Sequence, residues 1–125
     1  MKQPLRILIV DDSVTALTMA AVVVRSAGHE VDTAADGASA LERASAHAFH
    51  LVLLDLELPD TTGFELAQRI RALEGPNRFT PMLTLSGTES ASARHECLAA
   101  GMLGLIKKPL ARADVERISK LARAP

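Results

Sequence analysis

Five short apolar runs limit what this chain can fold into more than any other feature of its sequence. They occupy residues 5–10, 29–34, 51–54, 82–85 and 102–106, and a stretch of helical periodicity follows each one. Most are continuously apolar rather than alternating, the pattern of strands buried on both faces in a parallel sheet. The second run is weaker, because Glu30 and Asp32 alternate with Val31 and Thr33, and it reads as an edge strand. Between the runs, Val14, Leu17, Ala21 and Val24 fall on one helical face, with Ser13 as N-cap and Gly28 just past the end. A short Ala-rich helix over residues 38–46 turns Leu41 and Ala44 inward. Leu66, Ile70 and Leu73 form a third stripe, entered through Thr61 or Thr62 and stopped by Gly75-Pro76. Ala93, Cys97 and Ala100 make a fourth face, and Val115, Ile118 and Leu121 a fifth. The order is strand–helix five times over, which implies right-handed crossovers and one doubly wound α/β domain filling residues 1–125.

Composition agrees with a packed core. Apolar residues make up 48% of the 125, so disorder, a collagen repeat and a coiled coil are excluded. Aromatic residues are limited to Phe49, Phe64 and Phe79, so the core must be built from Leu, Ile, Val and Ala. Cys97 is the sole cysteine, which removes intrachain disulfides and cysteine-based metal cages. No apolar run approaches a membrane span, and residues 1–4 lack the apolar core of a signal peptide. A cytoplasmic location without membrane contact is the expectation.

Sheets of this kind bind their ligands beyond the carboxyl ends of the strands. The first strand ends in Asp11-Asp12-Ser13, the third in Asp55, the fourth in Ser86-Gly87 and the fifth in Lys107-Lys108-Pro109. Three carboxylates, a hydroxyl and an ammonium thus converge on one surface. Clustered carboxylates repel one another unless a cation joins them, and the hard ion suited to carboxylates, a backbone carbonyl and retained waters is Mg2+. Neither His nor Cys lies at these ends, which argues against zinc and copper. Lys108 supplies a second positive charge and Ser86 a hydrogen-bond donor, a set able to stabilise a transferring phosphoryl group. An aspartate within reach can accept that group as an acyl phosphate.

Four motifs, Ile9-Val10-Asp11-Asp12, Leu54-Asp55-Leu56-Glu57-Leu58-Pro59-Asp60-Thr61-Thr62-Gly63, Leu85-Ser86-Gly87 and Lys108-Pro109, stand in the order and at the spacing of response-regulator receiver domains of two-component signalling, which the chain resembles from residue 5 to about 123. The resemblance implies strand order 2-1-3-4-5 and a phosphoacceptor role for Asp55. It implies that Asp12 binds Mg2+ directly, Asp11 through water and Glu57 through its backbone carbonyl. Ser86 would hold a phosphoryl oxygen, Lys108 would pair with the phosphate, and the bond before Pro109 would be cis. The donor would be a histidine kinase or a histidine phosphotransfer protein. By the same resemblance the pairing of Glu57 and Thr88 would tune phosphoryl lifetime, with the Glu57 side chain either guarding against attacking water or simply exposed. Residues 96–109 are similar to receivers attached to hybrid sensor histidine kinases.

The chain departs from the family at Leu105, three residues before Lys108, where receivers usually carry Tyr or Phe. A switch at Leu105 offers a smaller lever than an aromatic ring, so the signal is read either at the phosphoryl site itself or through the first helix and its loop.

Plainer roles remain for several residues. Ser13 also serves as a helix cap, Lys107 as a solvated neighbour of Lys108, and Cys97 as a small core residue. Phe64 packs at the start of the third helix. His29, His47, His50 and His95 have no metal-ligand spacing and read as structural or solvated, with His50 placed to cap or pack before the third strand.

Residues 1–62 hold four Lys/Arg against nine Asp/Glu, and residues 63–125 ten against six. The basic second half reads as a solvated face or an interface with an acidic partner rather than a nucleic-acid surface. The domain is expected as a monomer or a weak homodimer through its fourth and fifth helices.

Two rival functions are weaker. A haloacid-dehalogenase-type hydrolase would place its Asp-x-Asp pair after the first strand, whereas Asp55-Leu56-Glu57 follows the third. A phosphorylation-independent interaction module has no need of Asp12, Asp55, Ser86 and Lys108 together. Nucleotide binding lacks the Gly-rich phosphate loop.

Overall fold

The computed structural model describes residues 3–87 and 91–123. Its elements run β1 (Arg6–Val10), α1 (Val14–Ser26), β2 (Glu30–Ala34), α2 (Gly37–Ala46), β3 (Leu51–Asp55), α3 (Gly63–Ala72), β4 (Met82–Ser86), α4 (Ala91–Ala99), β5 (Gly104–Lys107) and α5 (Arg112–Arg123). The five strands are all parallel and lie in the order β2-β1-β3-β4-β5, so β2 is an edge strand as its alternating pattern implies. Among the described residues no helix is long and apolar enough to cross a membrane.

Alternation along the strands divides the core into two layers. Leu8, Val10, Val52 and Leu54 point to one face, where they meet Ala40 and Ala44 of α2, Leu66 and Ile70 of α3, and Cys97 of α4. Ile7, Ile9, Leu51, Leu53 and Leu85 point to the other, against Ala20 and Val24 of α1 and Val115 and Ile118 of α5. Burying one such Leu, Ile or Val side chain is worth roughly 1.5–3 kcal/mol, so the interleaved layers supply the main force holding the sheet to its helices.

Local signals set the helix ends. Ser13 caps α1 by accepting from the Ala16 N–H, and Gly28, at φ +91°, lets the chain leave the helix in a left-handed turn. Thr62, the second of the two candidate caps, accepts from the Glu65 N–H to open α3.

Several features differ from the sequence reading. Val14 is 75% exposed and, among the described residues, is not part of the core layer that α1 covers. Leu121 is 47% exposed, and Ala122 packs on the inner layer of α5 instead. The third helix ends at Ala72, before Gly75-Pro76, with Leu73 already extended at φ −66° and ψ 131°. Strand limits also move: β3, β4 and β5 include the polar residues Asp55, Ser86 and Lys107, and β5 begins at Gly104 rather than residue 102.

Buried polar side chains tie the loops at the amino end of the sheet. Asn77, 2% exposed, accepts from the Phe49 N–H at 2.8 Å and donates to the carbonyls of Ala44 and His47, both at 2.6 Å. It thereby joins the end of α2 to the start of β3. Nearby, the Nδ1 atoms of His29 and His50 accept from the N–H groups of Leu5 and Arg6, at 3.0 and 2.9 Å.

Candidate functional site

At the carboxyl ends of β1, β3, β4 and β5 the structure gathers Asp11, Asp12, Asp55, Ser86 and Lys108. Asp11 follows β1 directly and is 1% exposed. Its backbone N–H continues the ladder to the Ala34 carbonyl at 3.1 Å, which holds its side chain over the end of the sheet. One carboxylate oxygen accepts from the Ser13 N–H at 3.0 Å, and the other meets the Lys108 ammonium at 2.7 Å. Asp12, exposed at the mouth, and Asp55, the last residue of β3, complete a set of three carboxylates that each offer one oxygen within 4.8 Å of the others.

Lys108 reaches this set because its backbone N–H donates to the Ser86 carbonyl at 2.7 Å, fastening the end of β5 to the end of β4. The peptide bond between Lys108 and Pro109 is cis. The ammonium lies 3.4 Å from Asp55 as well as 2.7 Å from Asp11. Ser86 itself is buried at the tip of β4.

The electrostatics follow from one cation serving several acids. Burial raises the Asp55 pKa most, Lys108 opposes it, and the charge of Asp11 pushes it up again, leaving the carboxyl above its ordinary range. The Glu57 N–H, which donates to the Asp55 carboxylate, is a smaller restraint in the opposite direction. Burial pulls the Lys108 ammonium down, but its hydrogen bond to Asp11 and the charges of Asp55 and Asp11 together outweigh that, so its pKa rises. With all three acids ionised, three carboxylates against one ammonium leave the cluster a net charge of two minus. A hard divalent cation fits that surplus and this all-oxygen donor set.

The segment from 56 to 62 carries Glu57 past the site. Its N–H is turned to Asp55 while its side chain is exposed. The Gly63 N–H returns to the Leu56 carbonyl at 2.8 Å, and a Cβ on Gly63 would stand 2.4 Å from the Asp55 carbonyl oxygen, so only glycine lets α3 begin this close to β3. Leu105 lies away from the acids, 8% exposed in the layer beneath α4 and opposite Thr84 in the β4–β5 register. Thr88 lies outside the described residues. Lys107 is exposed, and Cys97 is fully buried, with its thiol 3.1 Å from the Thr84 hydroxyl.

Sequence reasoning missed Asp60. Its carboxylate accepts from the N–H groups of Gly37 and Ala38 at 2.8 and 3.0 Å, tying the segment after the acids to α2. The only local sign was a second acid directly after Pro59, and its partners stand 23 and 22 positions away.

Comparison with known proteins agrees with this arrangement. Sensor histidine kinase AruS of Pseudomonas aeruginosa is 34% identical over 114 residues, 90% of this chain, and the chain spans 11% of its length. The structure of the chemotaxis response regulator CheY4 of Vibrio cholerae superposes with a TM-score of 0.85 at 32% identity, covering 96% of this chain and 99% of that one. The receiver domain of the sensor histidine kinase PA1611 of Pseudomonas aeruginosa, which holds a magnesium ion in its active-site cleft, gives a TM-score of 0.84 at 32% identity, covering 94% of this chain and 96% of that one. The family model for the response regulator receiver domain matches residues 7–120, and the chain belongs to that family.

Proposed function

We infer that Asp55 is the phosphoacceptor of this receiver domain and takes a phosphoryl group from a phosphohistidine with Mg2+ as cofactor. One observation carries the reading: the Asp55 carboxylate ends β3 with an oxygen within 4.8 Å of one oxygen each of Asp11 and Asp12, and lies 3.4 Å from the Lys108 ammonium. In the transfer, the P–N bond to the donor imidazole breaks as an Asp55 carboxylate oxygen bonds to phosphorus. Asp12, Asp55 and the Glu57 carbonyl would hold the metal directly, with Asp11 acting through water; the bound ion would neutralise charge on the phosphoryl oxygens. Lys108, already oriented by Asp11, would swing its charge onto the incoming phosphate, and the Ser86 hydroxyl would donate to a phosphoryl oxygen. Phosphorylation then alters partner binding or passes the group onward, without turnover of a small-molecule substrate.

The donor would be a histidine kinase or a histidine phosphotransfer protein. Beside the acids, α1 exposes Met19 and Val22 along a groove of about 460 Å3 that Pro109 and Leu110 close on the far side. An apolar helix face on the donor, seated there, would bring its phosphohistidine over Asp55.

Intact-mass measurement with acetyl phosphate tests the assignment. A hydroxylamine-labile phosphate adduct should form with Mg2+, disappear when the metal is chelated, and be absent from Asp55→Asn. Full phosphoryl uptake by Asp55→Asn would refute it.

A further inference from the structure

We propose that Asp60 is a positioning residue: its carboxylate anchors the segment bearing Glu57 to the N-terminus of α2 and so fixes the wall of the phosphoacceptor site. This rests on the phosphoacceptor reading of Asp55 for its consequence, but the anchor itself is geometric.

A helix leaves its first N–H groups without intrahelical partners. In α2 they are shared between two acids from different parts of the chain. Asp36, the N-cap, accepts from the Ser39 N–H at 2.8 Å and from the Ser39 hydroxyl. Asp60 takes the N–H groups of Gly37 and Ala38, one on each carboxylate oxygen. An ionised carboxylate at the positive end of a helix makes charge-assisted hydrogen bonds, and two at once fix its orientation as well as its distance.

The close approach is built into the sequence at Gly37. A Cβ there would lie 2.5 Å from the Thr61 methyl and 3.1 Å from an Asp60 carboxylate oxygen, so a side chain would push the two elements apart. On the other side of Asp60 the segment is folded tightly on itself. The Leu58 N–H donates to the Thr61 carbonyl at 3.1 Å, Glu57 bridges to Thr62, and the Thr61 hydroxyl donates to Glu65 at 3.1 Å. A unit this stiff moves as one body. Holding it at Asp60 therefore holds Glu57, whose N–H donates to Asp55 and whose carbonyl would face the metal.

Two variants separate an anchor from a mere helix cap. Asp36→Ala and Asp60→Ala each remove a cap from α2, but only the second releases the segment. Hydrogen exchange on the metal-free protein should show a faster Glu57 amide in Asp60→Ala and an unchanged one in Asp36→Ala. Calorimetric titration with Mg2+ should show affinity reduced about tenfold in Asp60→Ala, as expected for the loss of a group that orients a metal ligand. Asp36→Ala should bind as the parent does, and Asp60→Asn, which keeps one acceptor oxygen, should fall between. Equal Glu57 exchange in the two alanine variants, or unchanged Mg2+ affinity in Asp60→Ala, would overturn the proposal. If the parent protein bound no Mg2+, the phosphoacceptor reading would fail, and Glu57 exchange would still decide the anchor.

Discussion

Lys108 gives its shorter ion pair to Asp11, at 2.7 Å, and its longer one to Asp55, at 3.4 Å, so the phosphoacceptor candidate has the smaller share of the neighbouring positive charge. Burial and the Asp11 charge raise its pKa in the folded state. A carboxyl whose folded pKa lies above its unfolded value favours folding when protonated, and that contribution is lost as pH rises through the folded pKa. At neutral pH, then, ionised Asp55 works against the fold. Asn is nearly isosteric, keeps an acceptor for the Glu57 N–H and carries no charge. Without divalent metal, Asp55→Asn should be more stable than the parent at pH 7, within the roughly 0.5–2 kcal/mol that a single stabilising substitution commonly gives. The gap should close as pH falls through the raised Asp55 pKa. Urea unfolding at pH 7 and at successively lower pH measures this, and a variant less stable than the parent at pH 7 would contradict it.

At the scale of single elements, the amino end of β1 depends on two imidazoles acting as acceptors. The His29 Nδ1 receives the Leu5 N–H and the His50 Nδ1 receives the Arg6 N–H, so the bonds require an unprotonated nitrogen. Burial first, then the charges of Arg123 and His50, hold the His29 pKa below 6.5. A depressed folded pKa places the stabilising contribution above the unfolded value and removes it as pH falls through the folded one. Stability should therefore decline as pH drops below 6.5, and His29→Asn, an acceptor that does not titrate, should flatten the slope. Denaturant midpoints for both proteins across that window decide the point; identical slopes would refute it. The sequence placed His50 to cap or pack but named neither histidine's partner, because each is a backbone N–H at the start of β1, distant in the chain. The elements themselves were legible, since continuous apolar runs mark doubly covered strands and Ser13 and Gly28 mark helix ends. Periodicity misplaced Val14 and Leu121 because it shows where a side chain lies on a helix, not whether other residues cover that position. The strand-end acids and Lys108 were legible for a different reason: each sits beside its own strand, and topology alone brings them together. Asp60 and Asn77 act across loops on partners more than twenty positions away, and the acid after Pro59 does not by itself say where its partners lie.

Over the whole molecule, the uneven distribution of charge along the sequence becomes a junction in space. Asp11, Asp12 and Asp55 come from the acidic first half and Lys108 from the basic second, and they meet where β1, β3 and β5 end. The core layers on either side of the sheet hold these ends fixed, so the repulsion among the acids cannot be relieved by moving apart. In the unfolded chain Asp55 lies tens of residues from the adjacent pair Asp11 and Asp12, and the three offer no joint site. A divalent ion that binds the folded cluster must then stabilise the fold by mass action. At a Mg2+ concentration tenfold above the dissociation constant the gain is about 1.4 kcal/mol, which for a domain of this size corresponds to a few degrees in melting temperature. KCl at matched ionic strength should not reproduce the shift, because screening weakens the repulsion without bridging the oxygens. Asp12→Ala should abolish most of the Mg2+ effect while leaving the metal-free melting temperature near or above that of the parent, since Asp12 is exposed and contributes mainly charge. Thermal melts of both proteins in MgCl2 and in KCl test this directly. Equal shifts in the two salts would mean that the cluster responds to ionic strength alone and does not coordinate the ion.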